Sequence, residues 1–146
     1  MEEKTKKLFV ISLLLLAMVL PAAADTDLAP LIGTWVNPEY NPKRQDSKSV
    51  FLADGTGEDY ATTYAAEPSM VWTYTVEEAW QDAGGAYWYK AILTKIQTQQ
   101  DRYYYLLIRI SPDQTTYERE YIRGNLREFP TEINPRSYFY KILYRE

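Results

Sequence analysis

Neither cysteine nor histidine occurs anywhere in the 146 residues of this chain. Without cysteine there is no disulfide, no thiol nucleophile and no thiolate metal ligand, so stability must come from packing and sheet closure. Without histidine the imidazole base, the histidine-based triad and the usual zinc and haem ligands are excluded together. Carboxylates are what remain for chemistry. Glu77, Glu78 and Asp82 are the formal candidates for a two-carboxylate hydrolase, but they flank a turn on alternating faces, as solvated charges do. We expect no enzyme, no metal and no cofactor. Glycine is scarce, at six residues. Gly55-Thr56-Gly57 lacks both the full spacing and the following helix of a phosphate loop. The acids of 54–59 lack the alternating ligands and distal glutamate of a calcium loop, and fit a hairpin turn. A basic surplus is missing as well: 16 Lys and Arg stand against 20 Asp and Glu, a net charge of −4. Such a chain is a poor binder of nucleic acid, and it has no basic run to hold an anionic membrane.

Long apolar runs are limited to one. Lys4, Lys6 and Lys7 precede an apolar stretch from Leu8 to Leu20 that is interrupted only by Ser12. Pro21 breaks the run and Ala22-Ala23-Ala24 supplies a small-x-small cleavage pattern. The run is too short to span a bilayer comfortably. We therefore expect residues 1–24 to be a removable export signal and 25–146 to be one mature domain with one core. With no cysteine to carry a lipid, the expected product is exported, periplasmic or secreted, soluble and not lipid-anchored, with no integral membrane segment after processing.

What the chain has in abundance is tyrosine, 14 residues, with four tryptophans. These pair a large apolar face with one polar atom and suit both strands and amphipathic cavities. Turn signals recur at even spacing: Asp54-Gly55, Glu67-Pro68, Asp82-Ala83-Gly84-Gly85, Gln99-Gln100 and Pro112-Asp113. Between them lie runs rich in Val, Ile, Thr, Tyr and Trp. They read as strands near 33–37, 47–53, 58–65, 69–79, 86–97, 102–111, 114–122 and 137–145. Short strands at this spacing predict an all-β fold, a single antiparallel up-and-down meander barrel of about eight strands. The segment from Arg123 to Arg136, with Pro130 and Pro135, reads as a loop that Leu126, Phe129 and Ile133 dock as a lid or plug.

Period-2 alternation aims the faces. A turn at Glu67 sets Tyr64 against Met70, Thr62 against Trp72 and Tyr60 against Tyr74. A turn on Ala83-Gly84 sets Trp80 against Tyr87, Val76 against Ala91, Tyr74 against Leu93 and, on the other face, Glu77 against Lys90. A turn at Gln99-Gln100 sets Leu93, Ala91 and Tyr89 against Leu106, Ile108 and Ile110. A turn at Pro112-Asp113 sets Ile110, Ile108, Leu106 and Tyr104 against Thr115, Tyr117, Arg119 and Tyr121. One face is thus apolar and aromatic, and the other collects Asp59, Glu77, Lys90, Lys95, Arg109, Glu118 and Glu120. The last strand offers Tyr138, Tyr140, Ile142 and Tyr144 to the interior. On 47–53, Val50 and Leu52 compete with Phe51.

On that barrel, Leu31-Ile32-Gly33-Thr34-Trp35-Val36 resembles the first-strand Gly-x-Trp motif of the lipocalin and calycin barrels. Tyr144-Arg145 is similar in placement to the late arginine that packs over the tryptophan in that superfamily. The resemblance implies a small exported bacterial lipocalin-like protein, with Gly33, Trp35 and Arg145 forming the barrel floor and a small hydrophobic molecule bound inside. The chain departs from the pattern: it is short, has no Thr-Asp-Tyr motif, no cysteine pair and no clear C-terminal helix.

The interior candidates are Tyr60, Trp72, Tyr74, Tyr89, Tyr104, Tyr117, Arg119, Tyr121 and Tyr140, with Tyr64, Tyr87, Tyr138 and Tyr144 on the same predicted face. Either they fill the core or they line a partly open cavity; an eight-stranded barrel is wide enough for one small ligand. Arg119 is the sharpest of them. A buried arginine needs a partner, so it either anchors a carboxylate or phosphate, or lies at the mouth and pairs with an acid such as Glu78. Two functions follow: a carrier of a small hydrophobic or amphipathic ligand, or a filled barrel that meets a protein partner or acts as an inhibitor through its loops, with Phe129 and Ile133 exposed in one patch.

Overall fold

A computed structural model describes residues 27–39, 47–96 and 103–146. The expected export signal, 1–24, lies outside the described residues, as does the Gln99-Gln100 turn. Eight strands run in order: β1 (Gly33–Val36), β2 (Lys48–Phe51), β3 (Thr56–Tyr60), β4 (Met70–Gln81), β5 (Tyr87–Lys95), β6 (Tyr103–Ile110), β7 (Thr116–Gly124) and β8 (Lys141–Arg145). Each is antiparallel to the next, and β1 also pairs with β8, so the meander closes on itself with no free edge. No helix forms among the described residues. The fold is the all-β, single up-and-down barrel that the turn spacing predicts.

Three connections at one end are tied by aspartate side chains, which compete for turn backbone N–H groups. Asp54 accepts from the Thr56 amide and hydroxyl. Asp82 accepts from the Gly84 and Ala86 amides and from the Trp88 indole at 2.8 Å. Asp113 accepts from Ser111 and from the Thr115 amide and hydroxyl.

The registers separate into two kinds. For β5–β6 the observed partner of Leu93 is Tyr104, and for β6–β7 the partner of Ile108 is Arg119. Both differ from expectation by two residues, an even slip that leaves every side chain on its predicted face. In β6–β7 the turn is wider than predicted: Ser111 and Thr116 close it by a backbone bond, with Gln114 at φ 59°. The β3–β4 register errs by an odd number. Gly57 faces Trp72 and Asp59 faces Met70, because the connection is a long 61–69 loop closed by Ser69 N to Asp59 O rather than a tight turn at Glu67. That slip turns Gly57 and Asp59 inward and Tyr60 outward.

Within β4–β5 the match at Tyr74–Leu93 and Val76–Ala91 is as predicted, but a bulge at Glu77 then shifts the register. Glu78, not Glu77, faces Lys90, with a 2.8 Å ion pair. Trp80 faces Trp88 on the outer wall instead of Tyr87 inside, and the two indoles stack in parallel at 5.9 Å. On β8 the predicted face is reversed. Lys141 and Leu143 point inward and are buried, whereas Tyr144 is 46% exposed. On β2 it is Phe51, with Ser49, that turns inward.

The core is the aromatic interior: Trp35, Phe51, Trp72, Tyr74, Tyr89 and Tyr117 with Leu106, Ile108, Ile110 and Leu143. Phe51 is its hub, lying within 6 Å of the rings of Trp72, Tyr74 and Tyr117. The 125–136 segment is neither lid nor plug. Its Phe129 packs edge-on against Tyr105 on the outer wall, and Arg127 pairs with Glu77. The buried Glu120 carboxylate accepts from Asn134 N and Ser137 Oγ. Phe129 and Ile133 are half-buried, so they form no exposed patch, and only Leu126, at 81%, stands free of the wall.

Candidate functional site

One end of the barrel is shut. The 27–32 segment crosses it, held by the Tyr89 hydroxyl donating to Asp27 O. Trp35 is fully buried and its indole donates to Leu31 O at 3.0 Å. Arg145 lies over the Trp35 ring at 4.1 Å, and its guanidinium donates to the carbonyls of Pro30, Ile32 and Gln114. One planar group thereby satisfies three orphan acceptors and caps an aromatic ring. Gly33 makes this possible: its φ is +133°, and a Cβ there would sit 2.7 Å from Arg145 Nη1.

Above this floor the interior holds a cavity of about 390 Å³. This is within the range that holds one small ligand. Part of its lining is apolar, from Phe51, Trp72, Leu93 and Leu106, with Met70 beside Asp59 at the β3–β4 end. Towards the end that carries the β3–β4 and β7–β8 connections, the lining becomes basic and phenolic. Lys95, Arg119 and Arg123 project there with Tyr104 and Tyr121, and Tyr138, Phe139 and Tyr140 complete the wall. Asp59 is the one carboxylate in the lining.

Arg119 donates to Phe139 O and lies 4.8 Å over the Tyr121 ring. It does not pair with Glu78, which is engaged by Lys90 on the outer wall. Lys95 lies 4.9 Å over Tyr104. Paired with Arg119 across the β7–β8 ladder, Lys141 donates from Nζ to Ser49 Oγ at 3.4 Å, and Ser49 donates to Asp59 at 2.6 Å. Burial pushes the phenols of Tyr117, Tyr121 and Tyr74 above their ordinary range. These phenols are neutral at physiological pH, so the charge of the interior comes from its basic side chains and Asp59. Trp72 supplies an unmet donor: its buried indole N–H is the one buried side-chain polar atom without a partner among the described residues.

Of the sequence candidates, Trp72, Tyr104, Tyr117, Arg119, Tyr121 and Tyr140 line the cavity. Tyr74 and Tyr89 are buried in the core beneath it, with Tyr74 donating to Leu52 O. Tyr60 is a correction: it lies on the outer wall, donating to Glu58 and covered by Lys48 at 4.8 Å. Tyr64, 91% exposed, and Tyr144 are likewise outside. Lys95 and Asp59, assigned by sequence to the water face, line the cavity instead, and Arg123 joins them. Strict alternation from Leu93 to Lys95 and from Tyr121 to Arg123 carries the signal for the two cations; nothing local signals Asp59, whose face depends on the 61–69 loop.

A second hollow lies outside the barrel, between the Trp80–Trp88 stack and Phe129-Pro130, with Glu78, Asp82 and Lys90 at its edges. No protein-family model, no curated protein and no solved structure matches this chain.

Proposed function

We propose that this protein is an exported, soluble lipocalin-like carrier that binds a small hydrophobic or amphipathic molecule inside its barrel. The observation that carries the reading is the aromatic-walled interior cavity of about 390 Å³, closed at the Trp35–Arg145 end. Apolar burial against Phe51, Trp72 and Leu106 supplies the affinity, and Arg119 orients a polar end. The Gly33–Trp35–Arg145 floor supports the lipocalin-like assignment, since it has the arrangement that the resemblance implies. The outer wall supports a water-facing barrel. It carries the Glu78–Lys90 and Arg109–Glu118 pairs where a membrane barrel presents an apolar band to lipid. The lack of histidine and cysteine supports reading the interior as a binding site rather than a catalytic one.

The test is intrinsic tryptophan fluorescence of the purified protein against fatty acids, aromatics, porphyrins and sugars. Saturable quenching or a blue shift that weakens in Arg119→Ala is expected. Silence across the panel, with a sharp cooperative melt, contradicts the carrier reading. It directs attention to the alternative, a barrel that engages a protein through its loops and the Trp80–Phe129 hollow.

A further inference from the structure

The chain is acidic overall, with 16 basic against 20 acidic residues, yet its cavity is basic. Lys95, Arg119 and Arg123 line it against the single carboxylate Asp59. Asp59 already accepts the Ser49 hydroxyl, and Lys141, only 2% exposed, adds a further cation behind Ser49. Lys95 and Arg119 rest on the faces of Tyr104 and Tyr121, which eases their desolvation but leaves their charge in place. Basic groups gathered in a partly dry pocket raise its affinity for anions.

A second observation is independent of charge. Trp72 is 1% exposed and lines the apolar part of the same cavity, and its indole N–H has no partner. Native interiors rarely leave a buried donor unmet, because the lost hydration is not returned. Phe51 holds the indole edge-on at 4.8 Å, and Gly57 leaves room for its ring, so Trp72 has little freedom to turn elsewhere.

We infer that the cavity takes an amphipathic anion whose buried part carries a hydrogen-bond acceptor. The anionic head lies among Lys95, Arg119 and Arg123, and the acceptor meets Trp72 Nε1 through a small shift of the indole, since that atom has no surface open to water. This rests on the reading of the barrel interior as the ligand site. Trp72 is then a specificity-determining residue: an oxygenated chain satisfies its donor, and a plain alkyl chain leaves it unmet. The head is a carboxylate or a phosphate, both of which suit guanidinium and ammonium groups.

The test is titration of the native protein with decanol, decanoate, decyl phosphate and a series of oxo-decanoates with the carbonyl walked along the chain. Decanoate or decyl phosphate should bind at least roughly tenfold more tightly than decanol, and which of them leads identifies the head group. One oxo-decanoate should exceed decanoate by at least roughly fivefold, and Trp72→Phe should erase that preference while keeping the preference for an anion. Equal binding of decanol and both anions overturns the basic head site. No gain at any carbonyl position overturns the role of Trp72, a result read on the native protein whether or not the variant folds. Absence of binding by every probe overturns the carrier reading itself.

Discussion

At position 57 the side chain must be absent. A Cβ there would fall 2.1–2.5 Å from three atoms of the Trp72 ring, which lies across β3 at this point. Gly57→Ala therefore displaces a fully buried indole, and should destabilise the protein by about 1–3 kcal/mol in denaturant unfolding. Gly124→Ala, with no heavy atom nearer than 4.0 Å to its Cβ, should stay within about 0.5 kcal/mol. Arg145→Ala removes a ring contact and three hydrogen bonds to carbonyls at the closed end. A loss of about 2–4 kcal/mol is expected, and Arg145→Lys should recover little of it, since an ammonium lacks the planar fork. Single residues were unevenly legible. Gly33, Trp35 and Arg145 were legible through the resemblance of their motifs to lipocalin barrels, and the folded chain gives the physical reason for each: a positive φ, a buried indole and a forked cation over it. Asp59 was not, because a carboxylate faces water or a cavity according to a register decided elsewhere.

At the scale of elements, the Glu77 bulge separates two halves of β4. Before it Tyr74 and Val76 face inward; beyond it Ala79 faces Tyr89 inside, and Trp80 meets Trp88 outside. The parallel indoles should give an exciton couplet in the far-ultraviolet circular dichroism spectrum. The couplet should vanish in Trp80→Phe with the fold retained. Deleting Glu77 should preserve it, because removing the extra residue makes Val76–Ala91 and Glu78–Lys90 consecutive pairs and leaves 78–81 on their present faces. A couplet that persists in Trp80→Phe would contradict this pairing. The existence and order of the strands were readable from turn residues and alternation. The register was readable only at Tyr74–Leu93 and Val76–Ala91, and elsewhere the faces were readable only where the register error was even. Neither the bulge nor the long 61–69 loop has a local signature; the bulge reverses the faces after it and the loop those of β3 against β4, hence the misplacement of Trp80 and Tyr60. The 125–136 strap was misread because Leu126, Phe129 and Ile133 mark it as docking somewhere, while the outer-wall pocket of Tyr105 and Glu120 that receives it exists only in the folded barrel.

For the whole molecule, closure replaces covalent staples: with no cysteine, stability rests on one aromatic interior and a sheet without edges. Burial raises the Tyr89 and Tyr117 phenols. The unfolded chain releases those protons near pH 10 and the native chain retains them, so stability should fall as pH rises beyond about 10. The loss approaches about 1.4 kcal/mol per pH unit for each phenol that stays protonated, and tyrosinate absorbance should show a fraction that ionises only on unfolding. A titration in which every tyrosine ionises together near pH 10, with the fold intact, would contradict the buried set. On the proposed function the interior, and not the wall, receives the ligand. The most direct test is an NMR titration of the purified protein with decanoate. Saturable shifts of the Trp72 indole N–H and of the Leu93 and Leu106 methyl groups are expected, with Trp80 and Trp88 unmoved. Shifts confined to Trp80, Trp88 and Phe129, or no saturable shift at all, would contradict it.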